Sequence, residues 1–354
     1  MIPLFKAYMN DSVIGGIGSV LNSGRLSGGE FTEKFEKGIS TIISNPFFLS
    51  LSVNSLEFAL KLLDLKEGDE VISSPMSCLA TNQPILNVGA KVVWADIDPF
   101  TGSLDPESVR EKITKNTKAI IHFHWGGYPG YIDEINAIGR EFGIKIIEDA
   151  TESFGSKYKD AYLGSSPADL CCFSFTGVRL PNTIDGYGIA FSSEEIYEKA
   201  KKISDYGIDR KSFRDDLGEI STNCDIDVVG QGAKLNNIAS YVGYSQLNNL
   251  DALFEKQQKN AEYWDRIYDE NSRVINRLNS RTDISPNYWV YTINVEKRDD
   301  FLLKMRKEGF YSSKMHLRND FYSVFGKKQP DLIGVKKFSE TQLNIPCGWW
   351  IDVE

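Results

Sequence analysis

Along this chain the spacing of hydrophobic and polar positions changes repeatedly, and from about residue 50 helical and strand periods alternate. SLEFALKLLDL (55–65) places its apolar residues on one helical face, then passes through KEGDE into the short apolar run VISS. LATNQPILNVGA (79–90) reads as a helix ending near Gly89, KVVWADI (91–97) as a strand, and 106–114 as a helix. AIIHFHW (119–125) and IKIIEDA (144–150) are strand-like and flank the helical IDEINAIGREFG (132–143); LCCFSF (170–175) is a further strand. Short apolar strands separated by helices predict an α/β domain whose mainly parallel sheet is covered on both faces. Ligands on such sheets lie at the strand carboxyl ends. That rule points to His124 and Trp125, to Asp149 and Ala150, and to Ser174 through Arg179.

Beyond about residue 190 the pattern changes. EEIYEKAKKISDYGI (194–208) is helical, 210–227 is polar, and 235–270 is a long helical region with room for a break. YWVYTINVE (288–296) alternates as a half-buried strand, DDFLLKMRKEGF (299–310) is helical, and a short α+β tail follows. The expected division is a large α/β domain over 1–240, with an N-terminal arm, and a smaller C-terminal α+β domain over 241–354.

Composition narrows the function. A chain of 354 residues that is 41% hydrophobic and 12% aromatic can bury a core, which excludes disorder over most of its length. Forty basic against 49 acidic side chains give a net charge of −9. That balance disfavours nucleic acid and anionic membrane as main partners and leaves a phosphorylated small ligand open. Three histidines, His122, His124 and His316, argue against a three-histidine zinc site and leave His/carboxylate sites open, and no metal is expected. The five cysteines are odd in number, two are adjacent, and no C-x-x-C spacing occurs, so a reducing compartment fits better than a disulfide framework. The opening MIPLFKAYMNDS lacks the build of a secretory signal, and no apolar run is long enough to span a bilayer. The expected location is the cytoplasm.

Two segments carry candidate chemistry. In IIEDATESFG (146–155), Glu148 and Asp149 close an apolar strand where a sheet presents its ligand. Asp149 or Thr151 capping a following helix is the leading reading from the residues alone. The other is a buried carboxylate that keeps the ring nitrogen of a pyridine cofactor protonated. In FSFTGVR (173–179), Ser174 and Thr176 offer hydroxyls beside a glycine, either to hold a phosphate or simply as a strand exit.

The order of motifs resembles the DegT/DnrJ/EryC1/StrS family of pyridoxal-phosphate sugar aminotransferases. The matching stretches are RLSGGEFTEKFEK (25–37), LKEGDEVISSP (65–75), GAKVVWADIDPFTGSLDPESV (89–109) and ITKNTKAII (113–121). They continue through HWGGYPGYIDEINAI (124–138), IIEDATESFGSKYKDAYLGS (146–165), FSF (173–175), KLNNIASYVGYSQL (234–247) and NIPCGWW (344–350), the last fitting a branch with HWGGYP and GWW signatures. The resemblance implies the fold-type I transferase architecture, pyridoxal or pyridoxamine phosphate as cofactor, a nucleotide-linked keto-sugar substrate with glutamate as amino donor, and a dimer with sites at its interface. It places the pyridine-nitrogen carboxylate on Asp149 and the phosphate-contacting serine on Ser174.

The resemblance also exposes departures. The family's catalytic lysine falls on Arg179, whose guanidinium stays charged and can neither attack an aldehyde nor shuttle protons. An ion pair from Arg179 to Glu148, Glu152 or Asp185 is the expected structural role. Glu152 stands where the family has Gln or His near the cofactor's ring oxygen. Ser52 and Val53 replace a Gly-Thr pair at the start of the first large helix, whose amides could still meet a phosphate. Gly232 occupies a position that often supplies a polar contact from the neighbouring subunit, and IDGYG replaces a glycine-pair segment. A lysine-to-arginine change alone accounts for Arg179 but not for the rest. Three readings follow: a sugar aminotransferase altered at one residue, a lysine-free enzyme of the pyridoxamine-phosphate dehydratase kind, or a degenerate paralogue that binds, regulates or completes the site of an active partner.

Overall fold

The structure, a computed structural model, describes residues 1–268 and 273–352. Helices α1 (Ser12–Asn22) and α2 (Glu30–Ile43) precede β1 (Phe48–Leu51), α3 (Ser55–Leu62), β2 (Glu70–Ser73), α4 (Leu79–Asn87) and β3 (Lys91–Trp94). Then come α5 (Pro106–Lys112), β4 (Thr117–Phe123), α6 (Ile132–Phe142) and β5 (Lys145–Asp149). Two short strands, β6 (Lys157–Tyr158) and β7 (Ala161–Tyr162), lead to β8 (Leu170–Ser174), β9 (Tyr187–Phe191) and α7 (Glu194–Ile203). Seven strands form one sheet in the order β1-β9-β8-β5-β4-β2-β3. Adjacent strands from β8 to β3 pair parallel, and only the β9 pairings are antiparallel.

Both faces of that sheet are covered, which is why its strands read as continuous apolar runs. Ile121 and Ile147 pack with Leu56 and Phe58 of α3, whereas Ile120 and Ile146 pack with Ile135 and Ile138 of α6. Polar side chains start several helices: Asn54 accepts from Leu56 N and Glu57 N at α3, and Asp105 from Glu107 N at α5, where Pro106 fits the first turn. Pro84 inside α4 leaves the carbonyl of Ala80 without its helical donor, and Asn54 Nδ2 supplies one at 3.3 Å. The edge strand β1 and the reversed β9 were not anticipated. Each is only four or five residues long, and β9 carries Gly188, whose Cα lies tight against the rings of Phe48 and Phe175.

The long helical region resolves into α8 (Asn237–Gln246), a 3-10 turn, and α9 (Leu250–Tyr268), so the break is real; 269 and 270 lie outside the described residues. Strand β10 (Val274–Arg277) follows, then the short β11 (Ile284–Ser285), which extends the β6-β7 ribbon, β12 (Tyr291–Val295), α10 (Arg298–Lys307), α11 (Ile333–Thr341) and β13 (Gln342–Ile345). Antiparallel β10-β12-β13 forms a second sheet. Strand β12 is buried along its whole length, not half-buried. Its apolar face joins the core, while Thr292 bonds Asn344 at 2.8 Å and Asn294 donates to Pro99 O at 3.0 Å. Residue 240 lies inside α8, which packs on α1 and α2. One hydrophobic cluster joins Trp94, Phe123 and Trp125 of the first part to Tyr291, Phe338 and Leu343 of the second.

Candidate active site

The carboxyl ends of β4, β5 and β8 meet in one place, and each delivers a residue singled out from the sequence. Asp149 ends β5 with no exposure. Its Oδ2 accepts from Thr81 Oγ1 at 2.7 Å, and its Oδ1 from Thr151 N at 3.1 Å and Thr151 Oγ1 at 2.7 Å. Burial pushes this carboxyl above its ordinary range, against the pull of those threonine hydrogen bonds. No helix begins after it; 151–156 is a chain of turns, so helix capping is not what Asp149 does. Glu148, on the opposite face, is equally buried beside His124 Nε2 at 3.6 Å and Ser166 Oγ at 2.8 Å.

After β4 the chain turns through Gly126 (φ 58°) and Gly127 (φ 104°), a conformation that favours glycine. The turn aims the Gly126 amide at Glu152 Oε2, 2.9 Å away. Oε1 of the same buried carboxylate meets His316 Nε2 at 3.1 Å and Arg179 Nη2 at 3.7 Å. Of the three acids expected to pair with Arg179, the structure selects Glu152. The guanidinium also lies over the Trp289 ring, 3.8 Å from its centroid, and is only 15% exposed. Its Nε and Nη1 are buried and make no hydrogen bond. Burial lowers its pKa from the ordinary arginine value, with Glu152 opposing that shift.

Ser174 closes β8, nearly buried, with its hydroxyl 3.0 Å from Thr176 Oγ1. Ser174, Thr151, Glu152 and Arg179 line a cavity of about 20 Å³, walled by Trp289, Trp349 and Trp350. Ser52 and Val53 are elsewhere engaged: Ser52 N donates to Ala233 O at 2.8 Å, and Val53 packs on the apolar cluster under α3. The α3 amides of Leu56 and Glu57 are already bonded by Asn54. Gly232 sits against the ring of Tyr206. Cys78, at the start of α4, faces Glu152, Asp149 and Arg179, and burial raises its thiol pKa. Lys157 lies over Tyr162 and Lys159 pairs with Asp133, so both serve the β6-β7 ribbon. Lys6 is the lysine that lines the cavity.

The DegT/DnrJ/EryC1/StrS aminotransferase family model matches residues 9–352. The chain belongs to that family. Sugar aminotransferase CalS13 from Micromonospora echinospora has a similar structure, at a TM-score of 0.92 and 28% identity over 99% of this chain and 96% of that one. AtS13 from Actinomadura melliaura superposes at 0.91, with 30% identity over 99% and 95%. The spore coat polysaccharide biosynthesis protein SpsC of Bacillus subtilis is 25% identical over 92% of this chain and 87% of its own. The architecture is therefore that of the fold-type I pyridoxal-phosphate aminotransferases.

Against that family the residues present do not fit a cofactor held as a Schiff base. Arg179, which the motif resemblance places at the lysine position, is a guanidinium clamped between Trp289 and Glu152. At the start of α3 the Asn54 side chain already takes two of the free amides, those of Leu56 and Glu57, and the cavity beside Ser174 measures only about 20 Å³. Trp289, His316, Thr81 and Cys78 escaped the sequence reading. Trp289 stands two residues before a strand, and His316 was weighed only as a metal ligand; nothing in their local pattern marks a site.

Proposed function

We propose that this chain is a member of the sugar aminotransferase family that does not transaminate, and that it binds a nucleotide-linked sugar in the cleft its relatives use for the keto-sugar. The observation that carries this reading is the Arg179 guanidinium, stacked on Trp289 and facing Glu152 where an uncharged amine is needed. Asp149 and Ser174 stand where the motif resemblance puts the family's cofactor contacts, and both border the cavity region, which supports descent from an active enzyme. The test is turnover. With pyridoxal phosphate, glutamate and a panel of nucleotide-linked keto-sugars, the unmodified chain is expected to form no amino-sugar. If it does, the reading fails and the ordinary family activity stands.

A lysine-free reaction with pyridoxamine phosphate is the second reading, and one observation favours it: His316 and Glu152, 3.1 Å apart, form a pair able to move a proton at the edge of the cavity. Consumption of a nucleotide sugar by the unmodified chain with pyridoxamine phosphate, lost in His316→Gln, would select it.

The chain is further proposed to work as a dimer, with a second copy or an active paralogue. Tyr206, Leu217, Ile220 and Val229 are more than half exposed in the isolated chain, in and just beside the polar stretch 210–227. Light scattering at micromolar concentration checks the homomeric form. A cytoplasmic location is supported by the five cysteines all being free thiols. Among the described residues no helix is long and apolar enough to cross a membrane.

A further inference from the structure

Buried polar groups in folded proteins almost always have partners, so the exceptions show where something else binds. Among the described residues six buried side-chain atoms have none, and they fall into two groups. His122 Nδ1, His124 Nε2 and Glu148 Oε1 belong to the compact cluster behind the sheet, where His124 Nε2 already faces Glu148. The other three are Arg179 Nε, Arg179 Nη1 and Trp349 Nε1, and all belong to residues lining the one cavity beside Asp149 and Ser174.

Every one of these three is a donor. Lys6, also on the cavity wall, adds a cation 5.3 Å from the centroid of the Trp349 ring. Two of the acceptor-bearing residues nearby are committed. Glu152 takes Gly126 N and His316, and Asn287 gives its amide hydrogens to Glu152 O and Phe154 O while its Oδ1 accepts from Trp289 N. Glu152 and Gln257 also line the cavity, yet Arg179 Nε, Arg179 Nη1 and Trp349 Nε1 are left as three buried donors without an acceptor, and a cluster of unpaired donors around a guanidinium is complementary to an oxyanion. Its walls are the indoles of Trp289, Trp349 and Trp350 and the ring of Phe254, with Phe5 stacked on Trp289 at 4.3 Å. Aromatic faces flanking polar donors suit the alternating apolar and hydroxyl faces of a sugar ring. The cavity itself seats one water-sized group, the size of a single oxyanion oxygen, and because Trp349, Trp350 and Trp289 are partly exposed and Lys6 is exposed, the rest of a ligand would lie outward, along its mouth.

We infer that Arg179 and Trp349 Nε1 hold, without a covalent bond, the oxyanion group of an acidic sugar, a carboxylate or a phosphate, at the place where the relatives attach their cofactor. This deepens the non-transaminating reading and rests on it. The exchange of lysine for arginine then gives the pocket a different ligand chemistry instead of merely removing one.

The test follows tryptophan fluorescence of the full chain, free of added cofactor, on titration with glucuronate, glucose 6-phosphate, glucose and inorganic phosphate. Saturable binding of one or both acidic sugars, with none for glucose, is expected, and the preferred acid identifies the oxyanion. Arg179→Met is expected to weaken that binding roughly tenfold or more, the loss of a charged hydrogen bond. Trp349→Phe, which keeps an aromatic wall and removes only the N–H, weakens it by a smaller factor and guards against a folding defect in the first variant. Glucose binding as well as the acids, inorganic phosphate binding as well as the sugar acids, no saturable response to either acid, or unchanged affinity in Arg179→Met would each overturn the inference. Cofactor colour on adding pyridoxal phosphate would instead overturn the reading beneath it, so the two failures are distinguishable.

Discussion

Replacing Glu152 by glutamine removes one charge, keeps the side-chain shape, and asks whether Arg179 depends on that charge. In the folded chain Glu152 is buried, accepts from Gly126 N at 2.9 Å and His316 at 3.1 Å, and faces Arg179 Nη2 at 3.7 Å. A hydrogen bond to a charged acceptor contributes about 1.5–3 kcal/mol against about 0.5–1.5 for a neutral one, so two weakened bonds cost about 2 kcal/mol. The guanidinium also loses its nearby counter-charge. At 3.7 Å that pair is longer than a hydrogen bond, so the added cost lies below the roughly 3–5 kcal/mol of a broken tight buried pair. A total of about 2–4 kcal/mol is expected for Glu152→Gln. At about 2.1 cal/mol/K of unfolding entropy per residue, a chain of this length loses roughly 3–5 °C in Tm. Calorimetry and urea unfolding at one fixed protein concentration measure it, so that association does not shift the midpoint. The cycle with Arg179→Met isolates the pair, with an expected coupling of about 1–2 kcal/mol. A Glu152→Gln protein within about 0.5 kcal/mol of the unmodified one, the scatter of ordinary surface changes, refutes the reasoning.

Asn54→Ala removes the α3 cap and the donor to Ala80 O beside Pro84, with an expected loss of about 1–2 kcal/mol in urea unfolding. Gly130→Ala places a methyl between Ser103 and His122, both buried and bonded to each other at 3.0 Å; a loss of about 1–3 kcal/mol is expected in the same assay. Asp205 is held down to about 2 by hydrogen bonds from Arg210 at 2.6 Å and Lys234 at 2.8 Å. Its folded pKa lies below its unfolded one near 3.8, so its contribution is complete above about pH 4 and fades as the pH falls through about 2. Asp205→Asn is therefore expected to lower Tm at pH 6 and to leave it nearly unchanged at pH 2.

Much of the scaffold was legible because its signals are local. The runs at 119–123 and 145–149 are apolar enough to be doubly covered strands, and the 3.6-residue period of 132–142 gives α6 to within a residue. Strands β1 and β9 were not legible: their pairing is a long-range choice between short edge segments, made by Phe48 and Phe175 closing on Gly188. The alternation of β12 misled, since its polar face is buried too, through the Thr292–Asn344 and Asn294–Pro99 bonds. At the site, the strand-end rule brought Asp149, Ser174 and Arg179 together, and the family resemblance added Glu152. Trp289, Trp349 and His316 arrive from 140 and more residues beyond Asp149, and only the packing of the second sheet on the first puts them there.

The central claim, that residue 179 carries no cofactor, is tested most directly by borohydride trapping. The purified chain is incubated with pyridoxal phosphate, reduced, and its intact and peptide masses are measured beside an Arg179→Lys variant treated alike. The expected result is no reduced cofactor adduct on the unmodified chain. Because Asn54 takes the Leu56 and Glu57 amides of α3 and the buried Glu152 carboxylate stays beside residue 179, Arg179→Lys alone is also expected to gain little or none. A stoichiometric adduct on the unmodified chain, at Lys6 or any other lysine, would contradict the account.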